Sequence, residues 1–210
     1  MRMLAAALMI LGAPCGLAAS ATGDDPYFPL AKGHRWVYKT DYDEDTLIVH
    51  EVTGSEKIGD TECLMVEHRA VNAKEDRNRL LRKEWLASGE GGVRIHKVLR
   101  GRSEMEVDKP FFKLKRELKK DDEWEGDAKA SENPAHYQFR VDQEEDVEVP
   151  AGKFKAVKVM VKIESGLRNL AEGHEWYAKG VGMVKSEMTL RFGSEGTTLV
   201  FELKEFKAGN

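Results

Sequence analysis

From residue 34 onward, apolar and polar side chains alternate with a period of two along most of the chain, a pattern that favours antiparallel sheet over helix. In FKAVKVMVKI, Val157, Val159, Val161 and Ile163 share one face, while Phe154, Lys158 and Lys162 share the other with Ala156 and Met160. AHYQFRV repeats the rule, with Tyr137, Phe139 and Val141 inward and His136, Gln138 and Arg140 outward. TLVFELKEF does so with Leu199, Phe201 and Leu203. Further strands are expected at HRWVYKTD, DTLIVHEVTG, ECLMVEHRAV, GVRIHKVLRG and GMVKSEMTLRF. Turns are expected at Gly54-Ser55, Gly59-Asp60, Gly89 to Gly92 and Gly193 to Gly196. This rhythm predicts an antiparallel meander, and the lack of a strand-helix-strand order argues against a nucleotide-binding α/β fold.

Three segments need separate treatment. DRNRLLRKEWLAS places Leu81 and Trp85 at helical spacing, but the glycines that follow and the strand after them make it the first arm of a hairpin. PFFKLKRELKKDDEW reads as mixed, with a short helix from Phe112 to Lys119. In EVPAGKF, Pro150 sets the first corner of a type I turn and Gly152 takes the left-handed conformation that closes a bulged hairpin. LAKGHRW (30–36) and LKKDDEW (118–124) share leucine, lysine, a turn former and tryptophan at common offsets, an echo consistent with two related halves.

The first residues, MRMLAAALMILGAPCGLAASATGDD, pair one arginine with an apolar run, Leu4 to Leu11, that is too short to span a bilayer. They read as a signal peptide over residues 1–21, cleaved between Ala21 and Thr22, followed by a single β domain over 22–210. Soluble export to the periplasm or medium is expected. The alternative, lipid anchoring through Cys15, has Pro14 against it. Removal of the leader leaves Cys63 alone, so stability must come from a core, and Cys63 reads as a small buried strand residue. Charged residues make up 33% of the chain with both signs interleaved and a net charge of −4, which argues against a nucleic-acid partner.

The chemistry-bearing residues form no recognised signature. His34, His50, His68, His96, His136 and His174 are scattered singly, without HExxH or CxxC, and read as solvent-facing or singly hydrogen-bonded. Gly180-Val181-Gly182 reads as a turn at Lys179-Gly180, because it lacks a third glycine and a following helix. Asp142, Glu144, Glu145, Asp146 and Glu148 could hold a cation, but read better as a solvated edge. There is no GxSxG elbow. Neither a catalytic residue, a metal site nor a cofactor is expected. The remaining candidates are aromatic: Trp36, Tyr38, Trp85, Trp124, Tyr137, Phe139, Trp176 and Tyr177 could line an apolar cavity or simply fill the core.

YFPLAKGHRWVY, VPAGKFKAVKV and EWYAKGVGMVKSE together resemble a group of uncharacterised bacterial exported proteins and lipoproteins of the domain-of-unknown-function type. The resemblance implies a strongly curved antiparallel meander, an open or incompletely closed barrel with few short helices, similar to periplasmic lipoprotein carriers. A lipocalin is the nearby alternative, but Gly33-His34-Arg35-Trp36 has one residue more than its Gly-x-Trp strand. The expected function is non-enzymatic: an exported protein whose curved sheet holds a lipid or other amphiphile. The alternative is an envelope scaffold with a solid core that meets another protein, and a hydrolase or metal enzyme ranks third. Contact with a membrane is expected only if Cys15 is lipidated.

Overall fold

The computed structural model describes residues 25–129, 134–166, 169–192 and 195–209. The expected leader, Cys15 and the Ala21–Thr22 cleavage point lie outside the described residues. Twelve strands follow one another: β1 (Arg35–Thr40), β2 (Thr46–Ile58), β3 (Thr61–Asn72), β4 (Arg77–Gly89), β5 (Gly92–Arg100), β6 (Ser103–Lys115), β7 (Glu123–Ala128), β8 (Ala135–Val149), β9 (Gly152–Ser165), β10 (Asn169–Ala178), β11 (Gly182–Phe192) and β12 (Glu195–Lys207). They form a single antiparallel sheet in the order β6-β5-β4-β3-β2-β1-β12-β11-β10-β9-β8-β7. β1 pairs with β12, and between the two outermost strands, β6 and β7, the described residues form one isolated backbone bridge, Glu106–Lys129. The sheet is therefore a nearly closed barrel with one unsealed seam.

Much of the expected strand pattern is present. Tyr137, Phe139, Val141, Val157, Val159 and Val161 are buried in β8 and β9, as their alternation requires. DRNRLLRKEWLAS forms β4. Val149 pairs with Gly152 across Pro150-Ala151, and Gly152 has φ 132°. The acidic stretch from Asp142 to Glu148 pairs with β9 alone, beyond the reach of β7, where Lys155 meets Glu144 at 2.8 Å and Lys153 meets Glu148 at 3.4 Å.

Two expectations are corrected. Among the described residues there is no helix, and Phe112 to Lys119 instead finishes β6 and enters a turn. The register of β6 against β5 slips between Ile95 and Lys97, around Pro110, which cannot donate to a ladder. That slip breaks the period of two, so the strand looked helical, yet Phe111 and Leu114 are buried in the core. Gly54-Ser55 is not a turn either. It lies inside β2 at a bulge between Val52 and Gly54, and the chain reverses at Gly59-Asp60.

The two echoing segments adopt one geometry. Gly33 and Asp121, at the same offset, have φ 82° and 66°; aspartate is among the few other residues that take this conformation. Gly33 N donates to Val52 O at 2.9 Å and Asp121 N to Val141 O at 2.8 Å. His34 N donates to Ala31 O and Asp122 N to Lys119 O, each at 3.0 Å. Bulges follow at Val52/Gly54 in β2 and Val141/Gln143 in β8. Further along, Trp85 and Trp176 each precede a bulge and donate at 2.6 Å to Glu56 and Glu145 respectively. The barrel is thus built from two six-stranded meanders, β1–β6 and β7–β12.

In that arrangement the β6–β7 seam is the counterpart of the β1–β12 junction. Tyr38, two residues after Trp36, pairs with Leu203 across the sealed junction. Gly126, two residues after Trp124, faces the Phe111 side chain, which occupies the space that a Cβ at residue 126 would need. Trp124 Nε1 donates to Phe112 O at 2.9 Å, tying the seam by a side chain where a ladder is missing. Overpacking there should cost roughly 1–3 kcal/mol. Gly126→Ala is expected to lower the midpoint of thermal unfolding by several degrees, and an unchanged midpoint would show that Phe111 does not occupy this space.

Candidate functional site

The barrel encloses a cavity of about 280 Å³. At one end the chain entering β1 plugs it. Asp25 Oδ1 accepts from the backbone N of Tyr27 and Phe28 at 3.2 Å, a turn that drives Tyr27 and Leu30 into the core. The Phe28 ring lies 6.3 Å from Trp36 and 6.4 Å from Tyr177. Trp36 Nε1 donates to Val181 O at 2.5 Å, and Gly180 N to Pro26 O at 2.7 Å, so the β10–β11 turn is tied to the plug. Gly180 and Gly182 have φ 74° and 97°, which places Gly180-Val181-Gly182 in a tight turn that touches the cavity only through Gly182. Near the opposite strand ends the lining is apolar and half-buried, formed by Leu81, Met188, Leu190 and Leu199, with exposed Arg100 beside them.

Between these ends lies a charged floor. Glu84 is fully buried. It accepts from Arg82 Nη2 and lies 3.0 Å from His68 Nε2. Burial opposes its ionisation, but Arg82, Lys113 and His68 outweigh that penalty and hold the carboxyl well below the ordinary range. Glu175 lies 3.4 Å from Lys113 Nζ and accepts from the Tyr177 hydroxyl. The Tyr38 hydroxyl donates to Met183 O at 3.0 Å. Burial first, and Glu175 second, push both phenols well above their ordinary value, so they act as donors rather than acids. His50 lies between Tyr38 and His68, its ring tilted to both, with centroids 4.8 and 4.0 Å away. Burial, aided by the cations Arg82 and Lys113, keeps both imidazoles below their ordinary value. The floor thus sets Glu84 against Arg82 and Glu175 against Lys113.

The aromatic candidates separate into two groups. Trp36, Tyr38, Tyr137 and Tyr177 line the cavity. Trp124 and Phe139 stack on each other with centroids 5.2 Å apart, away from its wall. Trp85 and Trp176 each follow an inward glutamate, Glu84 and Glu175, so they project to the opposite face of the sheet. There Lys97 and Lys185 lie 4.6 and 5.1 Å from the respective ring centres. Cys63 is buried in β3 with its thiol pushed up to about 11, chiefly by burial, as befits an inert strand residue.

The histidine expectation needs correction. His136 meets Asp127 at 2.8 Å and His174 meets Asp142 at 3.1 Å, but His50 and His68 come together inside the barrel. Among the described residues no group of three or more His, Cys, Asp or Glu could hold a metal ion. A signal for the floor was present: His50, between Ile48 and Val52, and His68, two after Val66, occupy apolar-parity positions on neighbouring strands. Arg82 and Glu84 do so on the next strand.

Residues 125–193 match the DUF3108-like family, consistent with the exported-protein resemblance of the sequence motifs. No curated protein matches the chain in sequence. Two crystal structures are similar across most of it. A candidate lipoprotein from Parabacteroides distasonis is 15% identical, with a TM-score of 0.48, over 87% of this chain and 99% of that one. A candidate exported protein with a YmcC-like fold from Bacteroides fragilis is 14% identical, with a TM-score of 0.49, over 88% of this chain and 100% of that one. At these identities no function carries over from either.

Two outcomes follow for the floor. Glu84→Ala strands Arg82 in the interior and is expected to cost roughly 3–5 kcal/mol, measured by denaturant unfolding; a loss below 1 kcal/mol would contradict a buried pair. His50 and His68 have folded values depressed below the ordinary 6.5, so the unfolded chain takes up protons first as pH falls. Their contribution is full above about pH 6.5 and is lost progressively below it. Unfolding midpoints from pH 8 to 5 should fall through this window, and the fall should be shallower for His50→Gln.

Proposed function

We propose that this is an exported, non-enzymatic protein that binds one amphiphile, with its apolar chain inside the barrel. The supporting observation is the cavity itself, open among Leu81, Met188, Leu190 and Leu199 rather than filled by core side chains. At about 280 Å³ it sits at the small end of ligand pockets, which run from roughly 300 to 1,000 Å³, and so suits one short chain better than a two-chain lipid. Each methylene withdrawn from water contributes roughly 0.8 kcal/mol. Met188 and Met183 supply flexible wall atoms that can settle around chains of different shape. The apolar leader-like run at residues 4–11 supports export.

A catalytic reading has less support. Both carboxylates of the floor are engaged in ion pairs, and among the described residues neither His50 nor His68 is hydrogen-bonded to a nucleophile. The test is native mass spectrometry of the protein mixed with dodecanoate, dodecanol and dodecyltrimethylammonium. A one-to-one adduct with at least one of these is expected. Met188→Glu, which puts a charge into the apolar wall at a half-buried position, should reduce it tenfold or more while the protein stays folded. Failure of all three amphiphiles to bind would retire the proposal.

A further inference from the structure

We infer that the amphiphile carries an anionic, carboxylate-type headgroup, and that it enters head first to meet Arg82 on the barrel floor. The inference rests on the cavity being an amphiphile site, and adds which end goes in and what charge it bears.

The floor's hydrogen-bonding account supports it. Its acceptors are already engaged: Glu84 by Arg82 and His68, Glu175 by Lys113 and Tyr177. What remains is rich in donors. Arg82 Nε is buried with no hydrogen-bond partner, and a guanidinium can only donate. Lys113 has three donors and reaches Glu175 only at 3.4 Å. His50 and Ser186 line the same space, and neither makes a side-chain hydrogen bond among the described residues. Leaving a buried donor unpaired is costly, so a guest that only accepts would relieve that penalty. A cationic head would find no free carboxylate and would face Arg82 and Lys113. A hydroxyl head would satisfy one donor without matching the charge.

The order of the wall sets the orientation. Leu190 lies two residues from the end of β11 and Leu199 four from the start of β12, whereas Glu84 lies seven from the start of β4, Glu175 six from the start of β10 and Lys113 ten from the start of β6. Arg82 is opposite Arg100 in register but turns its guanidinium to Glu84. A head on the floor therefore leaves its chain against leucine and methionine, with the tail end toward the rim. The opposite orientation would put the head at exposed Arg100 and press the chain onto buried charges.

Calorimetric titration of the full chain at pH 7.5 with dodecanoate, dodecanol and dodecyltrimethylammonium separates these possibilities. Dodecanoate is expected to bind at least tenfold more tightly than either of the others. Arg82→Met combined with Glu84→Leu removes both halves of the buried pair, leaves no stranded charge between them and should equalise dodecanoate and dodecanol. Arg100→Gln should change dodecanoate affinity less than twofold. Equal or tighter binding of dodecanol or of the ammonium by the wild-type chain would overturn the headgroup inference and leave the amphiphile site standing. Loss of the preference in Arg100→Gln, or its survival in the double variant, would overturn the assignment to Arg82. Binding of none of the three would remove the site and the inference together. If the double variant does not fold, the wild-type series and Arg100→Gln still decide the matter.

Discussion

β1 pairs with β12 through six residues on each strand, from Arg35 with Lys207 to Thr40 with Phe201, and this contact gives the sheet an inside. Without it the two meanders would be open ribbons, each with one face to water, and no cavity could form between them. The junction is reinforced where it begins. Trp36 stacks on Phe206 at 5.4 Å and anchors its indole to Val181 O, so the first strand is tied at once to the last strand and to the β10–β11 turn. At the counterpart junction, β6 with β7, a single backbone bridge replaces the ladder and Phe111 packs over Gly126. One sealed and one unsealed junction make a nearly closed barrel with its gap at a defined place.

Closure also makes a charged interior tolerable. An isolated carboxylate at the position of Glu84 would be protonated or would expel the strand. In the closed barrel, Arg82 from the same strand, His68 from its neighbour and Lys113 from β6 converge on it. Glu175 arrives from the other meander, at the position equivalent to Glu84, and takes Lys113. The two halves therefore share one floor, each supplying a glutamate next to a tryptophan that lies on the opposite face. Ion pairs of this kind contribute little net stability compared with apolar packing. Their effect here is to keep polar donors inside an otherwise apolar barrel.

Legibility in the sequence followed the regularity of each strand. β8, β9 and β12 alternate cleanly, and their inward residues could be read directly. β6 could not, because the slip around Pro110 shifts its parity halfway along and leaves a spacing that resembles a helix turn. Among the aromatic candidates, alternation alone could not separate Tyr38 and Tyr177, which line the cavity, from Trp85 and Trp176, which do not. Both indoles are buried, but under lysine side chains on the outer face. The floor was missed because its residues come from strands far apart in the chain, and single histidines within strands carry no ligand spacing. The echo of LAKGHRW and LKKDDEW was readable, and the matching hydrogen bonds at Gly33 and Asp121 give it a structural form.

The sequence by itself determined that the chain would be an antiparallel sheet with reversals at Gly59-Asp60, Gly89 to Gly92 and Pro150-Ala151, because side-chain parity and backbone permissiveness act over a few residues. It also determined that the described residues hold no disulfide, since Cys63 is their single cysteine. Only the tertiary structure decided which strands would meet, and hence that Glu84, Arg82, His68, His50, Lys113 and Glu175 would share one enclosure. The reason is physical: the pairing of β1 with β12 joins residues more than 160 positions apart, and the character of each inward charge depends on neighbours that such closure brings near.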